Sequence, residues 1–419
     1  MIYDCIIVGA GAGGLFAGAS FQTTRRPAGL ILEKTGRPAT KLLMSGGGQC
    51  NITHAGSIKE FIDRYGKKGG KIRSCLYRHN NLELIRFLEE NGIPAVTQED
   101  GRVFPASRKA QDIRDLLLHR CRENGFETAC HQEVTGIRRI SAEGSQSGSD
   151  DPDCQAPGAS RTQDAFWELT TAQTTFRAKT VILATGGCSY PGTGSDGSLF
   201  SVLKRDLQLC ITPLQPALTP LRVQNYPYGQ LSGISFADCR VTILRAQKKI
   251  AEEHGGLLFT HKDFSGPAIL NSSNYAQPGD TLVIRYLDIS REEAAAVLQK
   301  ATEKKRGELP AILAETFQLP RRFCQLLTAR IGNSTKALAA ALTGEQFTIT
   351  SLSGFEKAMT TAGGIDLAEM DLKTMEIRKH PGLFACGEMI DIDGSTGGYN
   401  LQFAWSSART AVESAAAYL

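Results

Sequence analysis

The stretch MIYDCIIVGAGAGGLFAG, residues 1–18, places a short apolar run directly before a glycine-rich turn. Cys5 to Val8 is apolar and rich in β-branched residues, which favours a strand. Four glycines follow within six positions, and the next residues favour a helix. This order of strand, tight turn and helix is typical of the first unit of a dinucleotide-binding fold.

Each glycine of the motif has a physical role in such a fold. Gly9 allows the turn, Gly11 lets a pyrophosphate approach the backbone, and Gly14 lets the helix pack on the strand. A second strand pattern at residues 29–32 then leads to Glu33, which we expect to accept a hydrogen bond from a ribose hydroxyl. The alternative is a glycine-rich turn with a solvated Glu33.

Composition limits the class of protein. The chain has 419 residues, of which 41% are hydrophobic and 21% charged, which fits a globular protein of two or three domains. A formal charge of +4 is too small to indicate a nucleic-acid partner by itself. The eleven cysteines lack disulfide or zinc spacing and indicate reduced thiols, so no metal is expected. No stretch predicts a membrane span, and the acid near the start argues against a signal peptide, so we expect a cytoplasmic protein.

The chain then alternates between patterns. Residues 56–124 predict a small helical excursion, with Leu82 and Leu88 on one helix and Ile113 and Leu117 on another. Residues 134–140 and 165–185 predict strands. The polar segment 141–164 between them predicts a mobile loop.

Two further features complete the predicted architecture. Residues 180–187, TVILATGG, predict a central parallel strand that stops at a ligand. Residues 191–354 contain several strand patterns followed by helical ones, which predicts an inserted β-rich and helical domain. The dinucleotide-binding domain is then discontinuous and comprises residues 1–55, 125–190 and 355–419, with 56–124 as a helical subdomain.

A second glycine motif at residues 192–197 does not satisfy the same rule. It follows CSYP instead of a strand, and no acid ends a second strand at the expected distance. We therefore expect a loop that opens a helix and not a second dinucleotide site.

The end of the chain repeats the pattern of strand and glycine. Residues 382–386 predict a strand followed by Gly387 and Glu388, and Gly397 and Gly398 precede a long helical pattern. A helix that begins at a glycine-rich turn presents free amides and a positive dipole end to an anion.

A further glycine-rich loop, LMSGGGQCNITH at residues 43–54, carries a resemblance to a known family. The chain resembles the two-dinucleotide-type FAD flavoproteins, and within them the bacterial group called aminoacetone-oxidase-like or bile-acid-reductase-like NAD(P)/FAD-dependent oxidoreductases. KLLMSGGGQCNIT is specific to this group. The resemblance extends over the whole chain, in residues 4–19, 41–53, 181–197, 258–270, 363–365 and 382–408.

The resemblance implies an α/β fold with a Rossmann-like FAD-binding domain of glutathione-reductase type, and a non-covalent FAD. Its glycine loop would lie along the flavin, where side chains would collide with the cofactor. The residues implied in cofactor binding are Gly9, Gly11, Gly14, Glu33, Lys34, Lys41, Ser45, Gly46, Gly47, Gly48, Cys50, Asn51, Val134, Thr185, Gly186, Gly387, Glu388, Gly398, Asn400 and Leu401.

Two positions depart from the group's usual loop. Gln49 stands where the group usually has Arg, which removes a fixed cation beside the flavin. His54 stands where Asn is common and could supply a titratable proton, the alternative being a solvated histidine. The residues predicted for catalysis are Cys50, as a proton donor, and His54; a small packing residue is the alternative for Cys50.

The resemblance allows several functions. In the first, NAD(P)H is a transient electron donor, and hydride is delivered to a conjugated C=C bond in a steroid-like enone or in a uracil of ribosomal RNA. The second is an oxygen-dependent oxidase of a small amine such as aminoacetone. The third is a non-catalytic, flavin-stabilised RNA-binding protein. RYGKKGGKIR, residues 64–73, would then track phosphates, with Tyr65 as a stacking ring; a solvated basic loop is the plainer interpretation.

Overall fold

A computed structural model describes residues 1–141, 165–304 and 307–419. Nearly all of the predicted mobile loop, residues 142–164, lies outside the described residues. The described chain forms two compact units, one of residues 1–215 with 360–419 and one of residues 216–359. The second unit therefore begins later than position 191, where the sequence pattern placed the inserted domain.

The first part of the first unit alternates strands and helices. Its strands are β1 (Ile2–Val8), β2 (Gly29–Leu32), β3 (Thr53–His54), β4 (Ala95–Thr97), β5 (Arg102–Pro105), β6 (Phe126–Ala129) and β7 (Val134–Ser141). Its helices are α1 (Ala12–Ser20), α2 (Thr40–Met44), α3 (Ile58–Asp63), α4 (Arg73–Arg78), α5 (Asn81–Glu90) and α6 (Ala110–Glu123).

The same unit continues after the undescribed segment and again at the end of the chain. The first of these stretches holds β8 (Ala165–Thr171), β9 (Thr175–Leu183), α7 (Ser198–Leu207) and β10 (Ile211–Ala217), whose last two residues are counted in the second unit. The other elements of the chain, in order, are β11 (Leu221–Val223), β12 (Ser235–Arg245), β13 (Lys248–Phe259), β14 (Phe264–Ser265), α8 (Pro267–Ser272), β15 (Thr281–Arg285), α9 (Arg291–Lys304), α10 (Leu309–Phe317), α11 (Arg321–Ile331), α12 (Thr335–Leu342), β16 (Glu345–Leu352), β17 (Thr360–Ile365), β18 (Met370–Asp371), β19 (Glu376–Ile377), β20 (Leu383–Ala385) and α13 (Tyr399–Ala416).

One sheet organises the first unit. Its order is β18-β19-β20-β9-β1-β2-β6, with β8 also on β9 and β7 on β8. The run from β20 to β6 is parallel, and Val8 of β1 pairs with Leu32 on one side and Leu183 on the other. β1 is fully buried from Asp4 onward, as expected for a strand with sheet on both edges. The predicted Rossmann-type fold with a central β9 is confirmed.

The residues predicted as a single helical excursion, 56–124, belong to more than one part of the structure. α6 leads into β6, which pairs in parallel with β2, so α6 is a crossover helix of the sheet and not part of an excursion. The thiol of Cys121 on α6 lies 3.4 Å from the carbonyl oxygen of Leu15 on α1. The segment before α6 is not all helical either, because β3, β5 and β4 form a small sheet. On α5 the buried residues include Leu84 and Leu88, whereas Leu82 is exposed.

The second unit is built on a closed barrel of β11, β14, β13, β12, β15 and β16. Aromatic rings fill it, with Tyr228 stacked on Phe259 at 4.4 Å between centroids. The hydroxyls of Tyr228 and Tyr286 both donate to Oε2 of Glu345, at 2.5 and 2.9 Å. The barrel therefore has a core of its own, as a separate compact unit requires.

Candidate cofactor site

The glycines of the turn after β1 differ in the space that each leaves for a side chain. A Cβ added at Gly9, where φ is +103°, would lie 2.6 Å from the carbonyl oxygen of Ala184, and one at Gly14 would lie 1.9 Å from that of Gly9. At Gly11 the nearest protein atom would be 3.9 Å away. Gly9 and Gly14 are thus needed by the fold, whereas the space at Gly11 is free for a ligand.

Glu33 ends β2 beside this turn. Its carboxylate is buried and accepts hydrogen bonds from the backbone N–H of Ala10 and from both the N–H and hydroxyl of Thr35, each at 2.8 Å. An ionised carboxylate has about four lone-pair sites, so capacity for another donor is left. The side chain is therefore held at the edge of the glycine turn in an acceptor state.

The second glycine motif packs against the first site. A Cβ at Gly194 would lie 2.7 Å from Cγ2 of Thr35 and 3.8 Å from Oε1 of Glu33. Lys34 Nζ lies 2.5 Å from Asp196 and 2.9 Å from Glu133. Residues 192–197 thus form a wall beside Glu33 and open α7, while the ammonium of Lys34 is engaged in protein ion pairs.

The glycine loop after α2 exposes its backbone on one side. Gly46, Gly47 and Gly48 have φ of +57°, +66° and +87°, which is the left-handed region that favours glycine. A Cβ at Gly47 would meet nothing within 4 Å, and at Gly48 the nearest protein atom would be 3.8 Å away. At Gly46 it would lie 2.9 Å from the backbone nitrogen of Asn51. The loop is therefore closed at Gly46 and open to a ligand at Gly47 and Gly48.

Cys50 is a buried residue of the glycine loop. Its side chain has no exposed surface, and it belongs to the hydrophobic core of the first unit. Burial raises the pKa of its thiol to about 12. These surroundings favour a packing role, and a role as proton donor stays a prediction.

The two ring nitrogens of His54 both have protein partners. Nδ1 accepts from the N–H of Gly56 at 3.1 Å, which assigns the proton to Nε2, and Nε2 then donates to the carbonyl oxygen of Asp100 at 3.0 Å. The ring stacks on Tyr399 at 5.3 Å. His54 thus packs against the first residue of α13 with both ring nitrogens hydrogen-bonded, and its role as a proton donor stays a prediction.

Lys41 and Glu388 form the charged centre of the site. Lys41 Nζ lies 2.6 Å from Oε2 of Glu388, and it also binds the hydroxyl of Ser189. Oε1 of Glu388 accepts from that hydroxyl at 2.7 Å and from the N–H of Thr361 at 3.0 Å. Sequence reasoning missed Ser189 and Thr361; the position of Ser189 just after the glycines that follow β9 was a usable signal, whereas nothing marked Thr361.

The start of α13 is tied to the glycine loop. A Cβ at Gly398 would lie 2.5 Å from the carbonyl oxygen of Thr53, so only glycine fits. The side-chain amide of Asn51 is oriented so that its nitrogen donates to the carbonyl oxygen of Thr53. Its oxygen then accepts from the N–H of Gly398 at 3.2 Å. The side-chain amide of Asn400 makes two hydrogen bonds with the backbone of Gly394. Its oxygen accepts from the N–H and its nitrogen donates to the carbonyl oxygen, both at 2.9 Å.

The remaining predicted residues line the same sheet edge or its loops. Thr185 and Gly186 follow β9, and the Thr185 hydroxyl lies 3.3 Å from Sδ of Met389. Gly387 follows β20 and donates to the Ser407 hydroxyl at 2.9 Å. Val134 is buried at the start of β7, Leu401 is half-buried on α13, and Ser45 donates to the carbonyl oxygen of Leu42 at 2.7 Å. Glycines and acids that follow neighbouring parallel strands are thus brought together, as in dinucleotide-binding sheets.

The basic segment 64–73 differs in part from the expected phosphate strip, since Tyr65 and Lys68 have protein partners whereas Arg64, Lys67, Lys71 and Arg73 are exposed. Tyr65 is buried, and its hydroxyl donates to the carbonyl oxygen of Tyr399 at 2.8 Å. Lys68 Nζ lies 2.6 Å from Asp391 and 3.2 Å from Asp393. The expected stacking ring is therefore unavailable, and one of the lysines holds the loop before α13 in place.

FAD fits this arrangement. The open backbone at Gly11 suits a pyrophosphate, and the open backbone at Gly47 and Gly48 suits a flat ring system approaching closely. Glu33 has acceptor capacity left for a ribose hydroxyl. In the described ranges, no helix combines the length and the apolar character needed to cross a membrane.

Comparisons with known proteins agree with this geometry. The family model described as HI0933-like protein Rossmann domain matches residues 3–414. The ribosomal RNA dihydrouridine synthase of Haemophilus influenzae is 30% identical over 96% of this chain and 96% of its own length. The 3-dehydro-bile acid delta(4,6)-reductase of Clostridium scindens is 26% identical over 98% of both.

A solved structure supports the fold alone. The 3-ketosteroid delta1-dehydrogenase of Sterolibacterium denitrificans aligns over 99% of both chains with a TM-score of 0.51 and 12% identity. The family match, in contrast, covers nearly the whole sequence. The chain therefore belongs to the HI0933-like family of FAD-binding Rossmann-fold proteins, which are FAD-dependent oxidoreductases.

Proposed function

We propose that the protein holds FAD non-covalently and uses NAD(P)H to reduce a C=C bond conjugated to a carbonyl group in a small molecule. The observation that carries this proposal is the open left-handed backbone at Gly47 and Gly48 beside the helix start at Gly398. A backbone so exposed, and so costly for any residue with a side chain, suits close approach of the reactive ring.

The chain's own residues would divide the work of holding the cofactor. Glu33 would accept from the adenosine ribose, and Gly11 would admit the pyrophosphate to the start of α1. Lys41 and Glu388 would lie along the ribityl and phosphate region. The amides at the start of α13 would stabilise negative charge at the pyrimidine end of the ring. Bound FAD supplies hydride chemistry, which no side chain of the site can supply.

The substrate class is supported by the names of two relatives. A bile acid reductase and a ribosomal RNA dihydrouridine synthase both point to reduction of a C=C bond conjugated to a carbonyl group, in a steroid and in a uracil respectively. The small molecule is favoured here because Tyr65 is buried and Lys68 is paired with Asp391. Base stacking on Tyr65 and phosphate binding by Lys68 would need that ring and that ammonium group free.

The donor is proposed to bind weakly. This proposal is supported by the second glycine motif, residues 192–197, because Gly194 packs beside Thr35 and Glu33. We therefore expect NADPH or NADH to reduce the flavin slowly, without saturation in the low micromolar range.

The test is an anaerobic mixing experiment on the holoenzyme. NADH or NADPH should bleach the flavin, and a steroid enone should restore the oxidised spectrum much faster than air does. Rapid bleaching by aminoacetone without a nicotinamide, followed by fast reoxidation in air, would instead establish an amine oxidase. Loss of dihydrouridine from the ribosomal RNA of cells lacking the protein, restored by the wild-type gene, would overturn the small-molecule substrate.

A further inference from the structure

Arg108 has an unusual backbone conformation beside the glycine loop. Its φ is +54°, a left-handed value that is uncommon for a residue with a long side chain, and its N–H donates to the carbonyl oxygen of Pro105 at 2.9 Å. This tight turn connects β5 to α6. Strained residues of this kind persist where the surrounding structure fixes them, and they cluster at ligand sites.

The guanidinium of Arg108 is held by contacts with the glycine loop. Its Cζ lies 4.6 Å from the centroid of the Phe104 ring, and its Nη1 donates to Oε1 of Gln49 at 3.1 Å. Phe104 is itself buried, with Cε1 3.3 Å from the position of a Cβ on Gly46. The cation is thus mounted on the same loop whose open edge is at Gly47 and Gly48.

Within the part of the chain that the structure describes, Arg108 has no carboxylate oxygen within 4.0 Å of its guanidinium nitrogens. Arg102 provides the contrast, because its Cζ lies 5.7 Å from the same ring while its Nε is 2.7 Å from Asp100. A guanidinium offers a planar fork of donors that matches a carboxylate. Arg108 keeps its outer donors free for such a group.

We infer that Arg108 binds a carboxylate of the substrate, which makes the preferred substrate an anionic enone. This inference rests on the proposed function. In this arrangement Gln49 of the glycine loop supplies an acceptor that orients a cation from the β5–α6 turn. A single fork suits one small carboxylate, whereas an RNA backbone is tracked by several cations.

The test compares a steroid enone that carries a side-chain carboxylate with the matching primary amide. Calorimetric titration of the oxidised holoenzyme should show tighter binding of the acid. Arg108→Gln should weaken binding of the acid by about 10-fold or more and leave the amide unchanged. Arg102→Gln, the matched control on the same ring, should leave both affinities unchanged.

Other outcomes would overturn the inference. Equal affinity for acid and amide in the wild type, or an equal loss in both variants, would remove the role of Arg108. Competition by inorganic phosphate as strong as that of the acid would assign the site to a phosphate and not to a carboxylate. If Arg108→Gln fails to fold or to retain FAD, Arg108→Lys should still bind the acid better than the amide, but more weakly than the wild type does.

The same ligands separate this inference from the proposed function. After reduction of the flavin with dithionite, both the acid and the amide should reoxidise it if the protein is an enone reductase. Failure of both would overturn the proposed function, while the titrations would still decide whether Arg108 binds a carboxylate.

Discussion

Nζ of Lys41 lies 2.6 Å from Oε2 of Glu388, although 347 positions separate the two residues in the chain. Both side chains are mostly buried, at 26% and 19% exposure, and Glu388 is further fixed by Ser189 and Thr361. This pair joins α2 to the loop after β20. An ion pair so placed fixes two walls of the cofactor site relative to each other.

Replacing Glu388 with Gln should weaken FAD binding by about 10-fold, equivalent to about 1.4 kcal/mol, because the cation loses its partner while the hydrogen-bonding shape is kept. Fluorescence titration of the apoprotein with FAD would measure this. The control is Lys179→Ala, which removes the 3.0 Å pair with Asp4 near the other end of β1. An FAD affinity lowered equally by both variants would argue against a local role for Lys41 and Glu388.

Gly11 and Gly14 should separate cofactor binding from folding. Gly11 has ordinary extended angles and open space around a Cβ, so Gly11→Ala should leave the unfolding midpoint of the apoprotein unchanged but abolish FAD binding. Gly14→Ala would place its Cβ 1.9 Å from a carbonyl oxygen and should destabilise the fold by on the order of 3 kcal/mol or more. Thermal unfolding with flavin absorbance measures both effects. A Gly11→Ala protein with full flavin content would show that the pyrophosphate lies elsewhere.

Gly47→Val should abolish flavin binding, because a branched side chain would fill the open edge of the loop. A matched control is Gly92→Val, since Gly92 has φ of +81° and open surroundings in the turn after α5. Both variants should lose about 1–2 kcal/mol of stability through left-handed strain. Only Gly47→Val should lose the flavin spectrum, and a holoprotein with normal absorbance would disprove the placement of the ring.

Cys50 should resist alkylation. Since burial raises the pKa of its thiol to about 12, raising the pH from about 7 to about 9 creates almost no thiolate there, whereas an ordinary thiol with a pKa near 8.5 becomes largely ionised. Peptide mass spectrometry after iodoacetamide treatment of the native protein should find the exposed Cys210 modified and Cys50 intact at both pH values. Urea should make both react. Native modification of Cys50 would show that its sulfur is accessible and would support its role as a proton donor.

The sequence predicted those parts of the fold that depend on local chemistry. Strand β2 and the glycine turns at Gly9 and Gly398 could be predicted because strand periodicity and glycine's backbone freedom are visible in one dimension. The role of α6 could not, because its amphipathic pattern is the same for a crossover helix and for a separate subdomain.

The side-chain roles depended on contacts distant in sequence. From the sequence alone, Lys68 could not be distinguished from a surface lysine, because its ion pair with Asp391 is visible only in the structure. Tyr65 could likewise not be distinguished from a free ring, because its contact with Tyr399 is visible only there. Cys50 and His54 were predicted to be reactive from residue type alone, which carries no information on the burial of Cys50 or the hydrogen bonds of His54. Arg108 was missed because its left-handed backbone has no sequence signature outside glycine and asparagine.

The position of α13 has a consequence for biosynthesis. Its first turn is tied to the glycine loop through Gly398, and its Trp405 ring packs edge-on against Phe16 of α1 at 5.4 Å. During translation, α1 and the glycine loop emerge from the ribosome long before α13 can cover them. A nascent chain arrested before residue 398 would therefore expose the apolar face of α1 and hold FAD poorly, so capture of the cofactor is coupled to the synthesis of α13 and not to that of α1.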